Sequence, residues 1–200
     1  MPFDRQVLEA FDRAWPAVEQ LGVQLTEAEP DVRGADEVFR VLRGWHLATT
    51  IGDAVEAAGA EVVDIVRENV AYGRTVTAAQ LAAALQQRTF LLQRAQEFFT
   101  RHQFLLMPVS QVLPFRADTR WVREVAGEPI ADYLSSMRSA YLITVLRVPA
   151  ASVPAGFTPA GLPVGPQVVG RPGETWGCCS SVMRWSRSSP PAGGTPTWPR

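Results

Sequence analysis

The sequence predicts an α/β fold in which helices cover a mixed sheet. Three apolar runs of strand length, at 104–108 (FLLMP), 150–154 (AASVP) and 163–170 (PVGPQVVG), lie in the second half of the chain. Apolar residues at helical spacing dominate the first hundred positions. With 200 residues and 46% apolar content, there is enough material for one domain with a real core.

Taken in order, Phe3, Val7, Leu8, Phe11, Trp15 and Val18 recur at helical spacing, and Leu21 with Gly22 closes the pattern. Pro16 lacks a backbone donor and should kink or split this helix. Val23 and Leu25 alternate with polar neighbours, which predicts a short half-buried strand ending before Pro30. A second helix is predicted over about 35–51, with Val38, Phe39, Leu42, Trp45 and His46 on one face as an aromatic stripe facing the core. Val62, Ile65, Val66 and Val70 predict a further helix, stopped near Gly73.

Thr77 and Gln80 have the spacing of a capping box, in which each side chain bonds the other's backbone N–H. They open a long amphipathic helix carrying Leu81, Leu85, Leu92, Ala95 and Phe99, which delivers the chain to the strand at Phe104. Residues 109–127, containing PFRADTRW, read as a solvated surface loop, with the lining of a substrate pocket by its Arg, Asp and aromatic residues as the alternative, and 128–143 as helical.

The 19 basic and 20 acidic residues are interspersed, so no electrostatic footprint for nucleic acid or an anionic membrane is present. No apolar run reaches spanning length, and the start MPFDRQ lacks the basic, then apolar, pattern of a signal peptide. A cytoplasmic location is the resulting expectation. Cys178 and Cys179 are adjacent, where a mutual disulfide would be strained. His46 and His102 lie in helical runs without a paired carboxylate or second ligand, and read as structural. With no HExxH, CxxC, calcium loop, P-loop or GxGxxG, neither a metal nor a cofactor is expected.

Residues 148–171, VPAASVPAGFTPAGLPVGPQVVGR, are two apolar strands joined by a Pro/Gly loop. In this arrangement Pro149, Ser152, Val153, Pro154, Ala155, Gly156, Gly161, Leu162, Pro163, Val164, Gly165, Gln167, Val169 and Gly170 match a known signature. The stretch resembles the C-terminal signature of the amidase signature family, serine hydrolases that cut carboxamide carbon–nitrogen bonds. The run Tyr133, Leu134, Met137, Arg138, Ser139, Ala140, Tyr141 and Leu142, and FLLMPVS at 104–110, extend the resemblance over roughly the first 175 positions.

The resemblance implies the C-terminal half of an amidase-signature fold. It also implies a parent reaction converting a small-molecule carboxamide to a carboxylate and ammonia or amine, with no cofactor. A Ser-Ser-Lys triad carries that reaction, its nucleophile in a GSSGG-type loop of the N-terminal half. The segment 137–154 falls nearest the pocket, which nominates Met137, Tyr141, Thr144 and Pro149 as one wall.

This chain contains no lysine, since all 19 basic residues are Arg. A guanidinium, with a pKa above about 12, stays protonated and cannot replace the lysine base. Ser135–Ser136 has no flanking glycine and sits in a helical pattern, while Ser180–Ser181 and Ser188–Ser189 follow no strand with a Gly-rich turn. The expectation is a chain that begins downstream of the catalytic segment, holds no catalytic residue and is inactive alone. The alternative is a non-catalytic interaction module that pairs with a separately encoded N-terminal half.

Two departures from the family pattern bear on packing. Leu146–Arg147 stands where the family has Thr-Gly, and Pro166 replaces an apolar strand residue, which predicts an interrupted ladder there. A third departure sets the domain boundaries at 1–176 and 177–200. From Gly177 onward there is no Leu, Ile, Phe, Asp or Glu. With permissible codon choices, a one-base shift decodes 177–186 as GLLQLGHAVE, with apolar residues at helical spacing, and 193–199 as RRHPDLA-like sequence. The tail is therefore read as out of frame or as a disordered Ser/Pro-rich segment.

Overall fold

The computed structural model describes residues 1–188, and the chain divides into two compact units. The smaller, residues 31–94, holds α3 (Ala35–Ala58), a 3-10 turn (Gly59–Glu61), α4 (Asp64–Thr75) and the first part of α5 (Ala78–Arg101). The larger, residues 1–30 and 95–200, holds the sheet. Its helices begin with α1 (Arg5–Asp12) and α2 (Trp15–Glu19), split as Pro16 requires, because proline is tolerated in a first helical turn and not in an interior. No described helix is long and apolar enough to cross a membrane.

In the smaller unit the contact between α3 and α4 is made backbone to backbone. A Cβ placed on Gly73 would lie 1.8 Å from the Gly44 carbonyl oxygen, and one on Gly44 would lie 2.7 Å from the Tyr72 ring. Only glycine permits that approach. Gly73 is thus a contact point inside α4 rather than the stop expected, and the helix runs on to Thr75. The same seam corrects the predicted aromatic stripe. α3 buries Ala35, Val38, Val41, Gly44, Gly52 and Val55, a face of small residues, and leaves Trp45 40% exposed and His46 exposed.

The capping box forms as predicted: Thr77 N donates to Gln80 Oε1 (2.9 Å) and Gln80 N donates to Thr77 Oγ1 (3.2 Å). The expected strand at Val23 and Leu25 does not form. Both residues are exposed and the segment pairs with no other strand among the described residues.

At the entry to α3, the Asp31 carboxylate accepts from Arg33 Nε (2.9 Å) and pairs with Arg94 Nη1 (3.1 Å) on α5. Gln87 Nε2 and Arg94 Nη1 also both donate to the Arg33 carbonyl at 3.2 Å. The bonds from Arg33 hold the Asp31 carboxyl well below the usual carboxylate range. Because the folded-state pKa is depressed, the stabilisation is complete above the unfolded carboxylate pKa of about 4 and is lost as pH falls through the folded value. The thermal midpoint is therefore expected to drop on acidification below about pH 4, and Asp31→Asn to flatten that part of the profile.

In the larger unit β1 (Leu105–Pro108), β7 (Pro166–Val169) and β4 (Ala150–Ser152) form one sheet in the order β1-β7-β4, with β7 antiparallel to both neighbours. Strand alternation assigns Leu106, Val168 and Ala151 to one face. They pack in a core with Ala14 and Val18 of the α1–α2 region and with Cys178 and Trp185 of α7 (Thr175–Ser188). Gln167 and Ser152, register partners on β7 and β4, belong to the opposite face, where Gln167 reaches α6 (Arg138–Val145). Helices thus cover both faces, as the predicted α/β architecture requires.

The apolar run at 163–170 is broken into β6 (Pro163–Val164), which forms a hairpin with β5 (Gly156–Phe157), and β7. The break is at Gly165, where a Cβ would lie 2.0 Å from the Val153 carbonyl oxygen. Pro166 does not interrupt the ladder. It is the first residue of β7, opposite Pro108, and its carbonyl accepts from Val153 N at 3.0 Å. Two donor-less residues face each other at the end of a ladder, where neither N–H is required.

The 109–127 segment ends in a hairpin of β2 (Glu124–Val125) and β3 (Glu128–Pro129), joined by Ala126 and Gly127 at φ 53° and 83°. The helix predicted over 128–143 therefore begins only at Arg138, after β3 and a 3-10 turn (Leu134–Met137). Asp132 Oδ1 holds that turn by accepting from Ser135 N (2.9 Å) and Ser135 Oγ (2.8 Å).

The composition break at Gly177 falls inside α7. In the present frame Cys178 is buried, its thiol donating to the Val168 carbonyl (3.3 Å), and Trp185 Nε1 donates to the Pro154 carbonyl (3.1 Å). Burial pushes the Cys178 thiol pKa up and keeps it the protonated donor that this bond needs. Residues 189–200, including the 193–199 stretch, lie outside the described residues.

Arg147, which follows α6, has φ 55°. That is the left-handed region, which costs an L-residue about 1–2 kcal/mol and glycine nothing. Arg147→Gly is expected to raise stability by about 0.5–1 kcal/mol after glycine's extra unfolded-state entropy is subtracted. A higher denaturant midpoint at unchanged m-value is the measurement that checks it.

Candidate functional site: a neutral groove between a helix and a sheet face

A groove of about 410 Å³ runs between α6 and the sheet face that carries Gln167. Ala140, Ile143 and Thr144 line it from α6, and Ala150, Ala151 and Ser152 from β4. Gln167 of β7, Val109 and Val148 complete the lining. No lining side chain titrates, so the groove holds neither a general acid nor a general base. What it offers is apolar contact, two hydroxyls and one side-chain amide.

Beside the groove lies a buried polar junction. Ser139, fully buried at the start of α6, donates through Oγ to the Val109 carbonyl (2.9 Å), and its own carbonyl accepts from Gln167 Nε2 (3.2 Å). Gln111, 1% exposed, accepts from Ser139 N at Oε1 (3.4 Å). Its Nε2 donates to the Pro2 carbonyl (3.2 Å), and its own carbonyl accepts from Asp4 N (2.8 Å). Asp4 in turn accepts from Ala126 N at 3.2 Å. The N-terminal segment, the segment after β1, the first turn of α6, β7 and the β2–β3 hairpin are thereby tied at one point.

Of the four residues nominated for a pocket wall, Thr144 lines the groove, its hydroxyl bonded back to the Ala140 carbonyl (3.3 Å). Met137 ends the 3-10 turn, half-buried and outside the lining. Tyr141 is 2% exposed in the body of α6. The Pro149 carbonyl accepts from Gly170 N (2.9 Å), closing the end of the sheet. Sequence reasoning does not select Gln167 and Ser152. Period-two alternation puts each on a definite face of its own strand, but pairing them requires the β4–β7 register.

Two of the serine pairs contribute local bonds, and Ser189 of the third lies outside the described residues. Ser136 Oγ donates to the Tyr133 carbonyl (2.6 Å) and Ser181 Oγ to the Gly177 carbonyl (3.0 Å). His102 stacks on Phe98 at 4.5 Å. Among the described residues no group of three or more His, Cys, Asp or Glu could hold a metal ion.

The helix-covered sheet thus presents a groove whose lining side chains are neutral. The sequence profile of the family described as Amidase matches residues 2–179, and the chain belongs to that family. It is similar to the A subunit of the glutamyl-tRNA(Gln) amidotransferase of Moorella thermoacetica, 38% identical over 89 residues that cover 44% of this chain and 17% of that protein. The corresponding protein of Synechococcus sp. is 32% identical over 124 residues, 62% of this chain and 24% of that protein. A bacterial aryl acylamidase of the amidase signature family shares the fold with TM-score 0.81 at 20% identity, over 98% of this chain and 44% of that one. A 6-aminohexanoate cyclic dimer hydrolase solved with its substrate shares it with TM-score 0.74 at 19% identity and the same coverages. The chain thus spans less than half the length of these proteins.

Ser139→Ala removes the donor to the Val109 carbonyl and leaves that junction with an unmet acceptor. A loss of about 1–3 kcal/mol is expected, read from denaturant unfolding. Ser136→Ala, which breaks only a local turn bond, should cost less.

Proposed function

We propose that this chain is the non-catalytic C-terminal part of an amidase-signature hydrolase, supplying scaffold and one wall of the cleft that receives a small-molecule carboxamide. The observation that carries this reading is a groove whose lining holds no titratable side chain, in a chain without a single lysine. In the parent reaction a carboxamide is hydrolysed to a carboxylate and ammonia or amine, with the Ser-Ser-Lys triad contributed by the other part of the fold. The wall's role is to orient a neutral substrate and exclude water around it.

A second reading, pairing with a separately encoded N-terminal half, is favoured by the sheet. Among the described residues β1 and β4 each pair only with β7, leaving outer edges able to accept further strands. A cytoplasmic location goes with either reading, and no described helix is long and apolar enough to cross a membrane.

We also retain the shifted frame from 177 onward as part of this proposal. The positions α7 turns inward, 178, 182 and 185, are Cys, Val and Trp here and Leu, Gly and Val in the shifted reading, so either frame meets the sheet with a small or apolar face. Base-level sequencing with a peptide map of the natural protein decides it, and native peptides containing Cys178–Cys179 would remove the shift.

The purified chain is expected to release no ammonia or amine from a panel of aliphatic and aryl amides. Adding a lysine- and GSSGG-bearing N-terminal half should create activity in the mixture alone. Turnover by this chain that survives purification and disappears when one of its own serines is changed would overturn the proposal.

A further inference from the structure

We propose that Gln167 and Ser152 form a recognition pair for an uncharged carboxamide group, one that accepts the amide and rejects the corresponding carboxylate. The inference rests on the reading of the groove as a substrate wall and adds to it the two residues that read the ligand. Ser152 and Gln167 face each other across the β4–β7 ladder. Directly opposed residues project to the same face with Cβ atoms about 5 Å apart, and both line the groove.

Gln167 is only 4% exposed, and Nε2 is the atom that faces the Ser139 carbonyl at 3.2 Å. Only the nitrogen can face a carbonyl, so this bond fixes the orientation of the amide and leaves Oε1 as an acceptor. Ser139 is itself immobilised by its bond to Val109, so the acceptor is held by a buried chain of bonds and not by a free rotamer. Ser152 is exposed, and its hydroxyl can donate.

An acceptor beside a donor is the complement of a carboxamide, whose N–H₂ donates and whose C=O accepts. A carboxylate has two acceptors and would set one against Oε1. The lining holds no cation to compensate, and a buried acceptor left without a donor is what makes such sites discriminate. The same pair would therefore hold the substrate amide and release the carboxylate product.

The test is a titration of the full chain with benzamide and with benzoate, followed by NMR shifts of the Gln167 side-chain amide and the Ser152 backbone amide. Benzamide is expected to give saturable shifts at both positions, and benzoate to bind at least about tenfold more weakly, a difference of about 1.4 kcal/mol. Ser152→Ala, at an exposed position, should keep the fold by circular dichroism and weaken benzamide. Gln167→Met, which keeps length and loses the acceptor, should erase the preference over benzoate. Equal binding of the two ligands, binding of neither, or benzamide binding unchanged in folded Ser152→Ala would overturn the inference. Hydrolysis by this chain would overturn the function proposed above and leave the binding comparison intact, so the two failures are distinguishable.

Discussion

The bond from the Ser139 hydroxyl to the Val109 carbonyl is the constraint on which the sheet-bearing unit depends. Ser139 is completely buried, so its hydroxyl and backbone must all find partners inside the protein, and they find three of them on two different segments. In a low-dielectric interior each such bond is strong and each missing one is expensive. The start of α6 is therefore held against the segment after β1 and against β7 at once. The groove follows from this: α6 is pinned at its first turn by polar contacts, and the wedge between its later residues Ile143 and Thr144 and the sheet stays open.

A second constraint is steric, and it acts where no side chain fits. At Gly165 the backbone of the β6–β7 connection passes so close to the Val153 carbonyl that any Cβ would overlap it. One long apolar run consequently becomes two strands in two sheets. Gly44 and Gly73 do the same for α3 and α4 in the smaller unit. Arg147 is the reverse case, a residue with a side chain in a conformation that suits glycine. Its side chain is exposed, so it meets no packing clash and the strain is local to the backbone.

These constraints explain what is legible in the chain and what is not. Helices with a local cause are legible: Pro16 splits α1 from α2, and Thr77 and Gln80 cap α5 through their own side chains. Strands at 104–108 and 150–154 are legible from their apolar composition, and membership in the amidase family from the residues at 148–171. The features that escape a local reading are decided by distant partners. Gly73 looks like a helix stop unless Gly44 is known to press on it. Trp45 looks like core until the small-residue seam claims the interior face of α3. Val23 and Leu25 alternate like a strand but have no neighbour to pair with. The groove is the least legible feature, because Gln167 and Ser152 become neighbours only through a register that no local pattern specifies.

The neutrality of the groove has a physical logic of its own. A lysine base or an ionised nucleophile facing this wall would need burial beside apolar residues, and an isolated charge there costs several kcal/mol unless it is paired. The wall supplies no carboxylate or guanidinium to pair with it. It supplies fixed dipoles instead: a glutamine oriented by a helix carbonyl, and hydroxyls on the facing strand and helix. Fixed neutral dipoles suit a neutral substrate, since they can be satisfied by the ligand without a proton changing hands and need no reorganisation when it binds. The absence of lysine and the Ser139–Gln167 bond are compatible properties of one chain: the groove keeps an oriented glutamine because the same buried junction ties together the segments of the sheet-bearing unit.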